Sequence, residues 1–496
     1  MQLRKYIISF LFLGGMFSFS GCDGIFRDVP NDKLSQESIW GSQLLLDEYV
    51  LPWYRNMSNG FSVYMPATAL LKGASRDYLP WYGDQITVSK SDWYNTAYGD
   101  ILKSTPAEVT RRGLINWTNY YTRIQSINLL FENQDKIRNG DHKKRVLGEA
   151  HFFRAYYYYM LLRQFGGVLL LKNNYDPLHD GTKFPRASYE EMVNFIAEEA
   201  DLAASLLSEE LSPRDIGRAT RGAALMLKAK TYFWAASKIY QNQEKSYLGF
   251  PDDRSDAMLT AAAKAYDELM KLPYSLIQIT GSTQDQIKEQ YRQIFLTKNS
   301  QESIWEVQHS NDGDFSNGFG HKLDRESVSP YYGGTVAAYS PTQNHVDEYG
   351  MRDGKAYDAK HPYDNRDYRF YANVLYDGCT FRGRVMEIHY NKVNGKEVAG
   401  EDLTPYGTSE TAAVTKTGYY LGKFVDETQK IDNDESYASK QNYIIWRYAE
   451  VLLDYAEIDF LQNRVDDALD KVNQIRRRVH MDELPSLTWE QLVNER

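Results

Sequence analysis

The sequence predicts a mainly α-helical fold in which paired helices form a scaffold that carries long irregular loops and a few short strands. Several long segments place apolar residues three and four positions apart, which is the spacing of one helix face. Residues 57–105 and 272–445 are instead rich in Gly, Asp, Asn, Tyr and Trp and contain few periodic stretches. Long irregular segments in a compact protein are usually functional. A rigid helical scaffold with long aromatic loops is the architecture of a binding protein.

The periodic segments define the expected helices. In one of them, Tyr120, Ile124 and Ile127 lie on a single apolar stripe. Another begins at Ser188 with Glu191 three residues later, the pattern of a capping box. We expect helices over 117–137, 142–165, 188–207, 220–240, 256–270, 446–461 and 465–479. We expect short strands over 303–308, 385–390 and 443–446.

The helices are expected to pack as antiparallel pairs. Ala449, Ala456 and Ala468 in the last pair put small residues where two helices approach closely, which is the packing of tetratricopeptide repeats. The predicted fold class is therefore mainly α: a tetratricopeptide-like helical-repeat scaffold with long irregular loop insertions and a few short strands.

Two features of these helices concern packing. Arg154 with Glu149, and Arg447 with Glu450, can form ion pairs that hold helix against helix. The run from Tyr156 to Tyr159 covers every face of one helical turn. We therefore expect some of its rings in the core and others at the surface.

The N-terminus has the layout of an export signal. Arg4 and Lys5 precede an apolar stretch that ends in Phe19-Ser20-Gly21-Cys22. The stretch is short for a transmembrane helix, which needs about 20 apolar residues, and small residues before a Cys are what a lipoprotein signal peptidase accepts. We expect residues 1–21 to be a signal peptide and Cys22 to be the lipidation site. An ordinary cleaved signal with a chance Cys is the alternative.

Composition narrows the class of ligand. The formal net charge is −10, and removal of residues 1–21, which hold two basic and no acidic residues, makes it −12. An acidic protein is a poor partner for nucleic acid or anionic lipid. Once Cys22 carries lipid, Cys379 is the remaining cysteine, which excludes an intramolecular disulfide. The 39 Tyr against 21 Phe suit either a half-wet sugar-binding face or helix packing with hydroxyls in solvent.

No enzyme signature is present in the sequence. It lacks a nucleophile elbow, a phosphate-binding loop, a zinc-binding His-Glu-x-x-His helix and a dinucleotide fingerprint. Asp312-Gly-Asp314 opens like a calcium loop, but Asn317 and Leu323 stand where that loop needs Gly and Glu. We expect no cofactor and no metal. A carboxylate pair for glycoside hydrolysis is defined by separation in space, so that reaction stays open.

The short stretch with Asp364, Arg366 and Asp367 lies in the irregular region and is rich in charge. Charged residues are mostly exposed in folded proteins. We expect these three side chains to form a solvated turn without a binding role.

Five ordered blocks carry a family resemblance. They are Gly148–Leu171, Arg186–Glu191, Gly217–Ala224, Arg447–Glu457 and Val472–Arg478. With the lipobox they span almost the whole chain, and they resemble the SusD/RagB family, the nutrient-binding outer-membrane lipoproteins of Bacteroidetes. Phe19 departs from the Leu usual in a lipobox, and Leu169-Leu170 departs from the family's Val or Ile followed by Pro. The blocks belong to the scaffold, so they identify the fold better than the ligand.

The resemblance implies a signal peptide followed by one SusD-like domain over residues 22–496. We expect an N-terminal portion, 22–300, with most scaffold helices, then a loop-rich insert over about 301–445 and a C-terminal helix pair over 446–480. The family pattern continues with a further segment where this sequence reaches Asn494-Glu495-Arg496, so we expect the chain to be truncated at its C-terminus.

A ligand site is expected where aromatic and polar side chains stand together outside the helices. Sugar recognition commonly stacks a ring on Trp or Tyr and adds hydrogen bonds from Asp, Asn or Arg. The resemblance also implies a ligand platform that draws on the N-terminal loop region and on later loops. The expected ligand-binding residues are Arg76, Asp77, Trp81, Tyr82, Trp93, Asn95, Tyr331 and Tyr332, with Phe315, Asn317 and Phe319 close by in the sequence. The alternative is that Trp81 and Trp93 are buried anchors of long loops.

The resemblance implies a function in nutrient uptake. The protein would face the exterior of the outer membrane, held there by acyl chains, and would capture oligo- or polysaccharide. It would pass the glycan to a TonB-dependent outer-membrane transporter of the SusC-like type, over which it closes like a lid, and no bond would be broken. A peptide-binding lipoprotein of the same fold, a secreted hydrolase and a structural or adhesion lipoprotein stay open as alternatives.

Overall fold

The computed structural model describes residues 36–55, 57, 86–87, 117–175, 184–310, 320–334, 337, 339–405, 414–429, 431 and 439–496. This part of the chain is mainly α-helical, and its strands are two to five residues long. The predicted fold class is confirmed. Within the described ranges, no helix combines the length and the apolar character needed to cross a bilayer.

The helices of the scaffold pack in sequence-adjacent pairs, as predicted. They are α1 (Gln36–Gly41), α2 (Gln43–Arg55), α3 (Trp117–Glu132), α4 (Asp141–Phe165), α5 (Tyr189–Leu206), α6 (Arg221–Ala235) and α7 (Ser255–Leu269). The later helices are α8 (Gln284–Leu296), α9 (Leu323–Ser327), α10 (Gln343–Asp347), α11 (Tyr368–Asn373), α12 (Tyr448–Leu461), α13 (Val465–Arg478) and α14 (Trp489–Glu495). Neighbours pack as α3 with α4, α4 with α5, α5 with α6, α6 with α7, and α12 with α13. Each predicted helix is present with its ends displaced by a few residues.

Local sequence determines where these helices begin and end. Ser188 and Glu191 form the expected capping box at the start of α5, with the Ser188 hydroxyl accepting from the Glu191 amide at 3.1 Å. Thr220 caps α6 in the same way, by accepting from the Ala223 amide. Asn463, with φ of 60°, makes the turn between α12 and α13. Asn adopts this left-handed conformation more readily than most residues do.

Helix α4 lies at the centre of the scaffold. Helices α2, α3 and α5 pack against it, and Trp305 from the insert brings its ring within 5.7 Å of Tyr156. Tyr156 to Tyr159 are consequently all buried, none more than 3% exposed. The expectation that some of these rings lie at the surface is wrong, because the helix has neighbours on every side. The Tyr157 hydroxyl donates to the Trp53 carbonyl at 2.5 Å, and burial raises its pKa.

The ion pairs of α4 differ from the expected one. Arg154 makes a bidentate pair with Glu199 of α5, with both distances at 2.7 Å. Glu149 instead accepts from Arg218, in the loop before α6, at 2.9 Å. Residues five positions apart on a helix point to different sides, so Arg154 and Glu149 face different neighbours. The pairs do hold helix against helix, as predicted, but with other partners.

A second ion-pair cluster joins the insert to the C-terminal helices. Glu302 accepts from Arg447 at 2.7 Å and from Arg478 at 2.9 Å, whereas the expected pair of Arg447 with Glu450 does not form. Glu450 pairs with Lys230 at 2.6 Å. Desolvation raises the pKa of Glu302, but the charges of the two arginines outweigh it and leave the pKa below its ordinary value. The carboxylate is therefore a fixed anion inside the protein.

The turn after α4 is a place of close backbone approach. Gly166 has φ of 69°, and a Cβ added to Gly167 would lie 2.0 Å from the Ala187 carbonyl oxygen. Arg186 locks the turn by donating to the carbonyls of Phe165 and Gly167 at 2.5 and 2.7 Å. The sequence blocks Gly148–Leu171 and Arg186–Glu191 thus contact each other, and this contact gives both blocks a packing role.

The strands are short and pair in twos, all antiparallel. They are β1 (Ile86–Thr87), β2 (Ser303–Val307), β3 (Ser340–Pro341), β4 (Val374–Leu375), β5 (Thr380–Phe381), β6 (Arg384–Val385), β7 (Tyr390–Val393), β8 (Lys396–Ala399), β9 (Tyr420–Leu421) and β10 (Tyr443–Arg447). The pairs are β1 with β3, β2 with β10, β4 with β9, β5 with β6 and β7 with β8. The pair of β2 and β10 brings the two ends of the insert together, and both strands were predicted.

Two expectations for the irregular region are wrong. Residues 272–445 contain helix α8, which starts with a capping box of Thr283 and Gln286. The strand expected over 385–390 is divided into β6 and β7, because Met386 and Ile388 between them turn into an apolar cluster of the insert.

The charged turn at Asp364 is also not what we expected. Asp364 is exposed, but Arg366 and Asp367 are only 3% and 2% exposed. Asp367 caps α11, accepting from the Arg369 amide at 2.8 Å and pairing with the Arg369 guanidinium. The two side chains are buried because the backbone and Arg369 satisfy them, so the expectation of a solvated turn is wrong for Arg366 and Asp367.

Replacing Gly167 by alanine is expected to destabilise the protein by about 3 kcal/mol, the upper end of the cost of overpacking. The added Cβ would overlap a backbone carbonyl, which cannot move aside as a side-chain end can. The matched control is Gly350→Ala, because a Cβ at Gly350 meets no atom within 4 Å. Urea denaturation compares the two variants, and equal midpoints would contradict the assigned role.

Candidate functional site

Most tyrosines of the described chain are packing residues. The exceptions are Tyr331, Tyr357 and Tyr390, whose exposed fractions are 43%, 55% and 63%. All three lie in the loop-rich insert, whereas the exposed tryptophans of the described part, Trp117 and Trp489, lie in the helical scaffold. Solvent-facing tyrosine is thus concentrated in the insert, where the sequence predicted ligand contacts.

Tyr331 and Tyr332 lie side by side on a short 3-10 turn that follows α9. Pro330 starts this turn, and Gly333 ends it in the left-handed conformation with φ of 86°. Tyr331 points outwards, while the Tyr332 hydroxyl donates inwards to the Phe381 carbonyl at 3.0 Å. The two tyrosine rings are 5.0 Å apart at 76°. The turn therefore presents one ring and anchors the other.

Arg384 of β6 supports the pair of rings. Its guanidinium carbon lies 3.9 Å from the ring centroid of Tyr331 and 5.3 Å from that of Tyr332. A cation over an aromatic face is attracted by about 0.5–1 kcal/mol at an exposed position. The contact favours one orientation of this exposed ring.

Asp402 holds Arg384 in place. Its carboxylate is fully buried and forms an ion pair with Arg384. It also accepts from the Ser329 hydroxyl at 2.5 Å and from the Glu387 amide at 2.8 Å. Desolvation lowers the pKa of Arg384, but the hydrogen bond and the charge of Asp402 outweigh this effect and raise it. Asp402 thus joins the segment before Tyr331 to the strand that carries Arg384.

We call Tyr331, Tyr332, Arg384 and Asp402 the tyrosine platform. It presents the exposed ring of Tyr331 beside the ion pair of Arg384 and Asp402. The neighbouring Tyr332 is half-buried, and burial raises the pKa of its hydroxyl. A flat apolar ring with polar groups at its edge suits a ligand that has apolar C–H faces and hydroxyl edges.

The ligand-binding role of the predicted residues stays a prediction. Of the predicted ligand-binding residues, the structure brings Tyr331 and Tyr332 together. The sequence did not predict Arg384 and Asp402 as part of the candidate site, because they are remote along the chain and carry no local signal of their role. The other predicted residues, namely Arg76, Asp77, Trp81, Tyr82, Trp93 and Asn95, lie outside the described residues, as do Phe315, Asn317, Phe319 and Cys22.

One contact does link the two predicted binding regions. The backbone of β1 pairs with β3, with Ile86 opposite Pro341 and Thr87 opposite Ser340. Residues 86–87 lie between Tyr82 and Trp93 in the sequence, and β3 follows the turn that carries Tyr331 and Tyr332. Residues 86–87 of the N-terminal loop region therefore contact the insert through their backbone.

A groove of about 620 Å³ lies between the scaffold helices. Its charged rim includes Lys144, Asp201, Arg221 and Glu268, and its lining contains no aromatic residue. Arg221 pairs with Glu209 at 2.7 Å in an exposed position, where such pairs contribute little. The groove offers no stacking surface, so the tyrosine platform is the better candidate site. Among the residues that the structure describes, no cluster of three or more His, Cys, Asp or Glu is arranged to hold a metal ion.

Comparison with known families agrees with this architecture. The model described as "SusD family" matches residues 301–492, and the model described as "Starch-binding associating with outer membrane" matches residues 28–233. The first match covers the insert and the C-terminal helices, and the second covers the N-terminal scaffold. The chain belongs to the SusD/RagB family. No curated protein sequence matches it significantly.

Solved structures share the fold over nearly the whole chain. A SusD-like protein from Bacteroides fragilis has a TM-score of 0.69 at 24% identity, covering 93% of this chain and 84% of its own. A SusD-like carbohydrate-binding protein, also from B. fragilis, has a TM-score of 0.68 at 19% identity, covering 92% and 83%. Surface glycan-binding protein A from Bacteroides fluxus has a TM-score of 0.59 at 18% identity, covering 92% and 85%.

Replacing Asp402 by asparagine is expected to cost about 3 kcal/mol of stability, because it leaves the guanidinium of Arg384 without its buried counter-ion. The matched control is Asp377→Asn. Asp377 also accepts from a side chain of the insert, His389, at 2.7 Å, but that pair is 36% and 44% exposed, and exposed pairs contribute less than about 1 kcal/mol. Urea denaturation followed by near-ultraviolet circular dichroism compares the variants. A loss at Asp377 as large as that at Asp402 would contradict this account.

Proposed function

We propose that this protein is a glycan-binding lipoprotein of the outer membrane that captures oligo- or polysaccharide for a TonB-dependent transporter. The observation that carries the proposal is the tyrosine platform, where a buried carboxylate and an arginine hold an exposed aromatic ring. Its place in the loop-rich insert of a SusD-family fold supports the same function. The platform is built for holding a ligand, and the proposal needs no catalytic group.

In the proposed complex, a sugar ring packs its C–H face against Tyr331. Stacking removes apolar surface from water on both partners, which stabilises by about 25 cal/mol for each Å² buried. Because Arg384 already holds the ring, binding loses little of its side-chain freedom. Hydroxyls at the edge of the sugar would exchange water for polar groups of the insert. The ligand is held and then released unchanged.

The proposed location follows from the N-terminus. Export of residues 22–496 and acylation of Cys22 would anchor the domain, since each buried methylene of an acyl chain adds about 0.8 kcal/mol. The description of the family model that matches residues 28–233 associates that family with the outer membrane. An exterior-facing domain with a SusC-like barrel as its partner would receive polymer that is too large to diffuse across the membrane.

The protein without its signal peptide and Cys22 should first be tested by affinity electrophoresis in gels that contain single polysaccharides. We expect retardation by at least one glycan without release of reducing sugar. Release of reducing sugar would favour the hydrolase alternative. Migration unaffected by every glycan, together with binding of oligopeptides in a calorimetric screen, would favour the peptide-binding alternative.

Replacing Tyr331 by alanine is expected to weaken binding of the retained glycan at least tenfold, which corresponds to about 1.4 kcal/mol. Tyr357→Ala is the matched control, because Tyr357 is also an exposed tyrosine of the insert but is not part of the platform. Isothermal titration calorimetry measures both variants, and their urea midpoints verify folding. Equal affinity of the two variants would place the binding site elsewhere.

A further inference from the structure

The positive charge of Arg384 in the tyrosine platform is already paired. Arg384 donates through Nη2 to Asp402 and through Nη1 to the Val385 carbonyl at 3.0 Å, and its Nε is buried. A bidentate complex with a carboxylate or sulfate needs two neighbouring N–H groups. Arg384 still has N–H groups to donate, but its charge is paired with Asp402, so an anionic ligand would compete with a buried carboxylate for it. Its role in the platform is therefore a flat support and not a counter-ion.

Two further cations of the insert, Arg382 and His389, are also engaged. Arg382 donates to the Asp426 carbonyl at 3.1 Å and to the Gln429 carbonyl. The guanidinium of Arg382 also has Asp324, Glu427 and Asp426 as its nearest charges. At the base of the hairpin formed by β7 and β8, His389 bonds Asp377 at 2.7 Å. Arg382 and His389 thus each face at least one carboxylate.

Further acidic groups flank the platform. The Glu387 amide donates to the Asp402 carboxylate, and the Glu387 carboxylate accepts from the Glu401 amide at 3.4 Å. Both glutamates therefore lie next to Asp402. The whole chain has a formal charge of −10. A negative ligand at the platform would therefore meet repulsion from Glu387 and Glu401.

We infer that the tyrosine platform takes an uncharged glycan and discriminates against glycans that carry uronic acid or sulfate groups. The inference rests on the proposed glycan-binding function and adds the substrate class. Selection arises from charge: a neutral sugar uses the aromatic ring and the polar edge, whereas an anionic sugar must also approach paired cations and unpaired carboxylates. At physiological salt the repulsion acts within about 8 Å, so it is confined to groups at the platform.

The test compares the binding of neutral and anionic polysaccharides. The protein without its signal peptide and Cys22 is run in gels that contain neutral polysaccharides, namely laminarin, xyloglucan, galactomannan and amylopectin, or anionic ones, namely polygalacturonate, alginate and chondroitin sulfate. The neutral polymer that binds is then compared with its carboxymethylated derivative by calorimetry. We expect binding of the derivative to be at least tenfold weaker in 20 mM salt, with a smaller difference in 500 mM salt.

The outcomes separate the inference from the function it rests on. Retention by an anionic polymer, with affinity that falls as salt rises, would overturn the inference and leave glycan binding intact. Retention by no polymer would overturn both. Equal affinity for the neutral polymer and its carboxymethylated derivative would also overturn the inference.

A pair of variants tests whether negative charge beside the platform causes the discrimination against anionic glycans. Glu401→Lys places a cation beside the platform at an exposed position, while Glu401→Gln removes the charge without adding one. We expect Glu401→Lys to strengthen binding of the carboxymethylated polymer at least threefold in 20 mM salt, with a smaller gain for Glu401→Gln and no change for the neutral polymer. Discrimination that persists unchanged in both variants would overturn a charge-based selection.

Discussion

The structure depends on the nearly complete burial of the central part of helix α4, residues 148–162. Polar side chains in this part are shielded from water, so each one needs a partner inside the protein. Glu149 is satisfied by Arg145 of its own helix, Arg218 before α6 and Tyr54 of α2. Arg154 is satisfied by Glu199 of α5. The surrounding elements are thereby held at fixed positions around α4, and this rigidity lets the scaffold carry a long insert.

The insert is attached to that scaffold by the same kind of interaction. Glu302 stands just before β2, and its buried carboxylate receives Arg447 at the end of β10 and Arg478 at the end of α13. The partners come from segments far apart in the sequence, so the cluster closes the insert at its base. Above that base the chain needs few regular elements, because paired two-residue strands and aromatic contacts stabilise it. An irregular insert can then place single side chains at its surface.

How much of this could be read from the sequence depends on whether the signal is local. Helix periodicity, caps and the Gly166 turn are local, and the corresponding elements were predicted. Helix α8 also has a local signal, with Ile287, Tyr291 and Ile294 on one face after the Thr283 cap, but its many polar residues and its loop-like surroundings concealed it. The burial of Tyr156 to Tyr159 could not be predicted, since it depends on Trp305 and other neighbours that arrive from distant segments.

The platform shows the same limit in its chemistry. Tyr331 and Tyr332 could be found because aromatic residues are conspicuous in an irregular stretch, whereas Arg384 and Asp402 gain their roles only through each other. At Glu302, a buried carboxylate holds the buried Arg478 and the partly exposed Arg447, and this pairing joins segments of the fold. At Asp402 the same pairing occurs beside an exposed ring, so the energy that stabilises the fold also orients a surface for a ligand. The pairing with Asp402 neutralises the positive charge of Arg384. The same ion pair therefore accounts for the structural role of the two residues and for the expected preference for uncharged sugars.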